Sequence, residues 1–153
     1  MLIRLFCAMA LLAALALPAH ADKLSGDVRK DYADHLEGLF DYFHRNPELS
    51  LLETRTSARL AAELREAGFE VTEGVGGTGV VAMMENGPGP LVMMRADMDG
   101  LPVEEKSGLQ NASRAKQLDS NGNEVFVMHA CGHDVNITSL VGTARYMANN
   151  RAT

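Results

Sequence analysis

The chain has 153 residues, which is enough for one ordinary domain. Its 20 acidic residues outnumber its 14 basic ones and give a formal net charge of −6. Phosphate backbones are bound by clustered lysine and arginine, and this acidic sequence has no basic run and no tryptophan. These features argue against nucleic acid as a partner.

The first 21 residues have the layout of a secretory signal peptide. Arg4 precedes an apolar run at residues 5–17, and Pro18-Ala19-His20-Ala21 ends in an A-x-A cleavage site. Cleavage before Asp22 changes the net charge from −6 to −7, because the segment holds one arginine and no acidic residue. An uncleaved anchor is the weaker alternative, since a membrane span needs roughly 20 apolar residues. The sequence therefore predicts an exported protein, periplasmic or secreted, with no membrane attachment after cleavage.

Two amphipathic helices are expected early in the mature chain. The first covers residues 28–43, where apolar residues recur on one face, and it ends before Pro47. The second begins at Ser50-Leu51-Leu52-Glu53, which has the pattern of a capping box. Gly68 lies where a C-terminal cap glycine is expected. Both helices are interpreted as scaffold.

Short strands are predicted to follow these helices. Residues 69–72 and 79–84 read as strands, with the glycine-rich stretch 74–79 as a tight turn between them. A phosphate-binding loop is the weaker alternative, because no Lys-Ser/Thr follows the glycines and the turn opens a strand. Residues 91–94 form a continuous apolar run that is typical of a buried central strand. Together the elements predict an α/β fold, a layered mixed sheet with helices on its faces.

Metal-ligating side chains are concentrated in His129-Ala130-Cys131-Gly132-His133-Asp134. This stretch lies between a strand predicted at residues 124–128 and a helix whose apolar positions begin at Ile137. The thiolate of Cys131 and the imidazole of His133 suit zinc or a related divalent ion. Cleavage of the signal peptide leaves Cys131 as the only cysteine, so it has no intramolecular disulfide partner. A cysteine nucleophile paired with His129 or His133 is the weaker alternative, because closeness in sequence does not define a catalytic geometry.

A second polar group, Asp97 and Asp99, follows the apolar run at residues 91–94. In an extended chain, residues two apart lie on the same face. Such a pair can bind a metal directly, orient a histidine ligand, or satisfy the amides of a turn. The spacing leaves these three roles open.

Four segments, in this order, resemble one known family. They are His44-Arg45-Asn46-Pro47-Glu48-Leu49-Ser50, Gly76-Gly77-Thr78-Gly79-Val80-Val81-Ala82, Arg95-Ala96-Asp97-Met98-Asp99-Gly100-Leu101-Pro102 and Met128-His129-Ala130-Cys131-Gly132-His133-Asp134. The sequence is similar to the N-terminal part of the metal-dependent amidohydrolases that include hippurate hydrolase, N-acyl amino acid hydrolase and the plant auxin-conjugate hydrolases, which are relatives of aminoacylase and carboxypeptidase G. The resemblance spans residues 31–148.

The resemblance implies a catalytic domain with two divalent ions, manganese or zinc, that activate a water molecule to cleave N-acyl amino acid or aminoacyl amide bonds. Cys131 and His133 match the first two metal ligands of the family. Asp97 and Asp99 match its Asp-x-Asp segment, which is expected to support the ligands without binding the metal, and His129 and Asp134 are given the same supporting role. The resemblance also allows a homodimer for the full-length enzyme.

Two features depart from the family pattern. Asn136 occupies a position where the family usually has histidine. In the family the general-base glutamate and the remaining ligands lie further downstream, so the resemblance implies that they lie beyond Thr153. His35 and His44 are interpreted as solvated or core histidines. Residues 22–153 are therefore predicted to be the N-terminal part of the catalytic domain, and this chain alone is expected to be inactive. The alternative is a truncated, inactive metal-binding remnant.

Overall fold

The computed structural model describes residues 18–151, and side chains from residue 23 onwards. Most of the predicted signal peptide lies outside the described residues, so cleavage before Asp22 stays a prediction. The first described helix, α1 (Pro18–Asp31), crosses the predicted cleavage position. No helix within residues 18–151 is long and apolar enough to cross a membrane.

Helices and strands are mixed in the structure, so the predicted α/β class is confirmed. The first helix continues through a π-helical segment, Tyr32–Leu36, into the second helix. In the described residues the strands form two antiparallel hairpins, each made of two strands consecutive in the chain. The remaining elements, in chain order, are α2 (Glu37–Arg45), α3 (Thr54–Glu66), β1 (Glu70–Val75), β2 (Gly79–Met83), β3 (Lys116–Leu118), β4 (Glu124–Phe126) and α4 (His133–Asn149).

Apolar side chains from α2, α3, α4 and the π-helical segment form the core. Helix α4 packs against both α2 and α3. The core contains Leu36, Leu39, Phe43, Leu60, Ile137 and Val141. Because α4 begins inside the candidate metal motif, this packing fixes where that motif lies relative to the scaffold.

The N-terminus of α3 differs from the predicted capping box. Leu51 adopts a left-handed backbone conformation with φ 64°, which is incompatible with a helix starting at Ser50. The helix instead begins at Thr54, and the carboxylate of Glu48 accepts the backbone N–H of Thr56 at 2.7 Å and of Arg55 at 3.3 Å. The cap is therefore a side chain from the preceding loop. At the other end, Gly68 has φ +89°, as the cap-glycine prediction requires.

The predicted strands on either side of the glycine-rich stretch form β1 and β2, and the tight-turn interpretation is confirmed. The prediction of a buried strand at residues 91–94 is wrong for this structure. Leu91 is 86% exposed and Met93 is 85% exposed, and no strand forms there. The apolar pattern indicates a segment that favours burial, but a strand also needs a hydrogen-bonded neighbour, and no residue among 18–151 supplies one.

Candidate metal centre

Backbone pairing brings the Asp-x-Asp segment next to the cysteine-histidine segment. The N–H of Leu101 donates to the carbonyl of Met128 at 2.8 Å, and the N–H of Met128 donates back at 3.1 Å. Gly100 is needed at this crossing, because a Cβ atom there would lie 2.7 Å from Cγ1 of Val127 and 2.9 Å from Cβ of Pro47. The third and fourth segments of the family resemblance are therefore neighbours in space.

The turn that carries Cys131 ends at the N-terminus of α4, as the sequence predicts. Gly132 caps the helix in the left-handed conformation with φ 76°, and its N–H donates to the carbonyl of His129 at 3.1 Å. Cys131 is a free, exposed thiol and His133 is the first residue of the helix. The two candidate ligands thus lie on either side of a single left-handed residue.

The ring of His133 is held by Asp99. Its Nδ1 lies 2.9 Å from the backbone carbonyl oxygen of Asp99 and 3.0 Å from the carboxylate oxygen Oδ1. Both groups are acceptors, so Nδ1 carries the proton and donates. In the neutral ring, Nε2 then keeps the lone pair that a metal ion requires.

Asp97 is placed differently from Asp99. Its carboxylate is exposed and forms an ion pair with the Arg95 guanidinium. No hydrogen bond or ion pair joins Asp97 to Cys131 or His133 in the part of the chain that the structure describes. The structure therefore brings one member of the Asp-x-Asp pair to the candidate ligands.

His129 is buried, and within residues 23–151 neither of its ring nitrogens has a hydrogen-bond partner. Burial lowers the pKa of His129, because the charged imidazolium is poorly solvated there, and the negative charge of Asp134 offsets only part of this effect. A buried polar group without a partner is uncommon in a folded protein. His129 therefore forms no hydrogen bond to either candidate ligand among the described residues.

Asp134 is buried and is contacted by a histidine that sequence reasoning did not assign to the site. Oδ2 of Asp134 lies 2.7 Å from Nδ1 of His44, and Nε2 of His44 lies 3.4 Å from Oε1 of Glu105. The interpretation of His44 as a solvated or core histidine is therefore incomplete. Its place in the first matched segment is a signal that could have identified it, whereas Glu105 lies in none of the four segments.

The donors fit a divalent metal in type but do not complete a site. Cys131 offers a thiolate and His133 offers Nε2, a pair that suits zinc and related ions. Within residues 18–151, no group of three or more histidine, cysteine or acidic side chains is arranged to hold a metal ion. A four-coordinate ion at Cys131 and His133 would take its other ligands from groups that these residues do not provide.

Comparison of the sequence with known proteins identifies relatives of this chain. Residues 93–153 match Peptidase family M20/M25/M40. The chain is 43% identical over 132 residues to thermostable carboxypeptidase 2 of Saccharolobus solfataricus, which covers 85% of this chain and 31% of that protein. It is 38% identical over 120 residues to hippurate hydrolase of Campylobacter jejuni, covering 78% of this chain and 29% of that protein.

The fold has a similar solved relative. The crystal structure of the Bacillus subtilis YxeP protein, described as a dinuclear metal binding peptidase from the M20 family, has a TM-score of 0.68 and 33% identity, and covers 80% of this chain and 32% of that chain. This chain thus spans about a third of the length of the relatives it matches. The resemblance predicted from the four segments is confirmed, and this chain is similar to part of the peptidases of the M20 family.

Proposed function

We propose that this protein is a metal-dependent amidohydrolase that cleaves N-acyl amino acid or aminoacyl amide bonds, with Cys131 and His133 as ligands in a two-ion site of manganese or zinc. The observation that carries the proposal is the pairing of His133 Nδ1 with Asp99, which leaves Nε2 available two residues along the chain from the exposed thiol of Cys131. The family match and the dinuclear description of the Bacillus subtilis relative support it.

In this proposal each residue of the loop has a defined task. Bound divalent ions supply Lewis acidity that polarises the amide carbonyl and activates water. Asp99 keeps the proton of His133 on Nδ1 and makes the ring a better ligand. Gly132 gives the turn that separates the two ligands, and the N-terminal end of α4 holds His133 on the packed core.

The general base is proposed to be a glutamate outside the described residues. Each of the four buried glutamates in the structure is already held by hydrogen bonds to a neighbouring backbone or side chain, which fits a structural role. These are Glu48 with Thr56, Glu53 with Thr78, Glu63 with Arg59, and Glu105 with Ser107 and Ser113. Export and a homodimeric full-length enzyme belong to the same proposal.

A second candidate function is a metal-binding protein without hydrolytic activity. It rests on Cys131 and His133, which could bind one ion weakly, whereas residues 18–151 contain no group of three or more ligating side chains from which a two-ion hydrolytic site could be built. It differs from the first candidate in one measurable way, because metal would bind while acyl-amino acids stay intact.

The test uses the protein expressed from its complete gene, stripped of metal and reloaded with Mn²⁺ or Zn²⁺. Hydrolysis of hippurate and of N-acetyl amino acids is expected to depend on the added ion. Cys131→Ala is expected to lose metal and at least about 100-fold in kcat/KM. Ser139→Ala, at an exposed position of α4, is the matched control and is expected to leave both unchanged.

Each other outcome has a distinct meaning. Activity that survives both chelation and Cys131→Ala contradicts the assignment. Metal binding without hydrolysis supports the second candidate. Activity that is lost in Cys131→Ala but insensitive to chelation indicates a cysteine nucleophile.

A further inference from the structure

His44 connects the scaffold to the candidate metal motif over a sequence separation of 90 residues. It lies in the last turn of α2, and its Nδ1 donates to Oδ2 of Asp134 at 2.7 Å. The carboxylate of Asp134 is buried, and burying a charge without a partner is costly. Its other oxygen accepts the N–H of Val135 at 2.9 Å, so both carboxylate oxygens are engaged.

The other edge of the His44 ring faces a second buried carboxylate, although Nε2 forms no hydrogen bond within the described residues. Nε2 lies 3.4 Å from Oε1 of Glu105, which is itself fixed by Ser107 Oγ at 2.6 Å and by the backbone N–H of Ser113 at 2.6 Å. The ring of Phe40 packs against that of His44, with centroids 5.6 Å apart. A ring flanked by two buried carboxylates and an aromatic neighbour has little freedom to turn away from Asp134.

We propose that His44 is a positioning residue for the metal-binding loop, and this inference rests on the proposed function. Its hydrogen bond to Asp134 holds the first turn of α4 and so the backbone that carries His133. Asp99 fixes the tautomer of the His133 ring, while His44 fixes the position from which that ring extends. His44 itself touches neither metal nor substrate in this account.

The chain contains a natural control for this role. Nε2 of His35 lies 2.7 Å from Oε2 of Glu63, whose side chain is 4% exposed. This imidazole–carboxylate contact has the same length as that of His44 with Asp134, and both histidines lie in the same helical run. Glu63 also bonds to Arg59 and lies in α3, outside the metal motif.

The test measures Co²⁺ binding to the protein expressed from its complete gene, through the thiolate-to-cobalt absorption band. His44→Leu removes the donor and is expected to weaken Co²⁺ binding by about 10- to 100-fold, the range seen when a group that orients a ligand is lost. His44→Asn places an amide N–H where Nδ1 lies and is expected to restore most of the affinity. His35→Leu is expected to change the affinity by less than about twofold, although it removes a comparable pair.

Circular dichroism and thermal melting show which variants fold. If His44→Leu does not fold, His44→Asn is compared with His44→Gln, whose amide reaches the position of Nε2 and not that of Nδ1. The Asn variant is then expected to bind Co²⁺ at least about tenfold more tightly. Equal affinities for these two variants would overturn the proposal.

The remaining outcomes separate this inference from the proposed function. A wild-type protein without the thiolate-to-cobalt band contradicts both. A wild-type protein with the band, whose affinity is matched by folded His44→Leu, contradicts the positioning role alone. Equal losses in His44→Leu and His35→Leu also overturn it, because they would reflect general loosening of the helices.

Discussion

Asp99 offers two acceptors to the Nδ1–H of His133. One is its backbone carbonyl oxygen and the other is a carboxylate oxygen. The carboxylate contributes negative charge as well as an acceptor, and this charge makes the ring a stronger metal ligand. Asp99→Asn keeps an acceptor but removes the charge. We expect Zn²⁺ affinity to fall by about tenfold, measured by competition with a chromogenic chelator.

The matched control for this prediction is Asp97→Asn, the same substitution two residues earlier. Asp97 is exposed and pairs with Arg95, so we expect no measurable change in Zn²⁺ affinity. A larger loss in Asp97→Asn than in Asp99→Asn would show that the wrong aspartate has been assigned to His133.

Glu48 stabilises the start of α3 and gives a pH-dependent prediction. Burial raises the pKa of Glu48, but hydrogen bonds from Thr56 and Arg55 outweigh it and hold the pKa below its ordinary value of 4.5. The carboxylate therefore stabilises the fold above pH 4.5, and this contribution is lost as the pH falls through the lower pKa of the folded state. Glu48→Gln is expected to lower the free energy of unfolding by about 1–2 kcal/mol at pH 7.

Urea denaturation of this chain at pH 7 and at pH 3 tests that prediction. The difference between wild type and Glu48→Gln should shrink at the lower pH. Glu70→Gln, at an exposed position of β1, is the control and should change stability by less than about 0.5 kcal/mol at either pH. A pH-independent effect of Glu48→Gln would mean that the charge of Glu48 does not matter.

At the scale of single residues, the position of Cys131 and His133 on a turn that opens a helix could be predicted from local sequence. Their role as metal ligands stays a prediction, drawn from residue types and spacing in their own motif. The contact of His44 with Asp134 could not be predicted, since it depends on how α2 packs against α4. Glu105 gives no local signal at all, and only the folded chain places it beside His44.

At the scale of elements, Gly132 sets the direction in which the chain passes from residues 129–131 into α4. Its φ of 76° disfavours any residue with a side chain, while an added Cβ would meet no atom within 4 Å. The cost of Gly132→Ala is therefore conformational, about 1 kcal/mol in the free energy of unfolding. We also expect weaker metal binding, because the residue separates the two candidate ligands.

Gly38→Ala provides a control that is expected to change the free energy of unfolding in the opposite direction. Gly38 lies in α2 and an added Cβ there also meets no atom within 4 Å, but its backbone is helical. Alanine should stabilise the protein by about 0.5–1 kcal/mol and leave metal binding unchanged. Urea denaturation of both variants decides the matter, and a stabilising Gly132→Ala would contradict the role given to this turn.

Helix positions follow from the sequence better than helix ends do. The periodic apolar residues of α2 and α4 predict both helices, because the same residues form the core. The capping box at Ser50 fails because Leu51 takes a left-handed conformation and Glu48 supplies the cap. A capping pattern is short, and the competing cap lies outside it.

At the scale of the whole molecule, contacts from outside the local sequence pattern also decide whether the apolar run at residues 91–94 is buried. Its composition predicts a buried strand, yet Leu91 and Met93 are largely exposed in the structure. Which neighbour would cover such a run is decided by distant parts of a chain, and this chain spans about a third of the length of its relatives. Family resemblance and fold class could be predicted, whereas the burial of this run could not.

The exposed run makes a prediction about residues 22–153, the chain without its predicted signal peptide, in solution. Contiguous exposed apolar residues with unpaired backbone favour association between molecules. We expect the wild-type chain to self-associate in a concentration-dependent manner in sedimentation velocity experiments. Replacing Leu91 and Met93 together by lysine should shift the distribution toward the monomer, because it breaks the apolar run and adds like charges.

A second double variant distinguishes the apolar run from net charge. Gln110→Lys with Asn121→Lys adds the same two positive charges at exposed polar positions outside the run. This variant should sediment like the wild-type chain, because the apolar surface is intact. An equal shift toward monomer in both double variants would assign association to net charge, and a wild-type chain that stays monomeric at every concentration would show that the exposed run does not drive contact between copies.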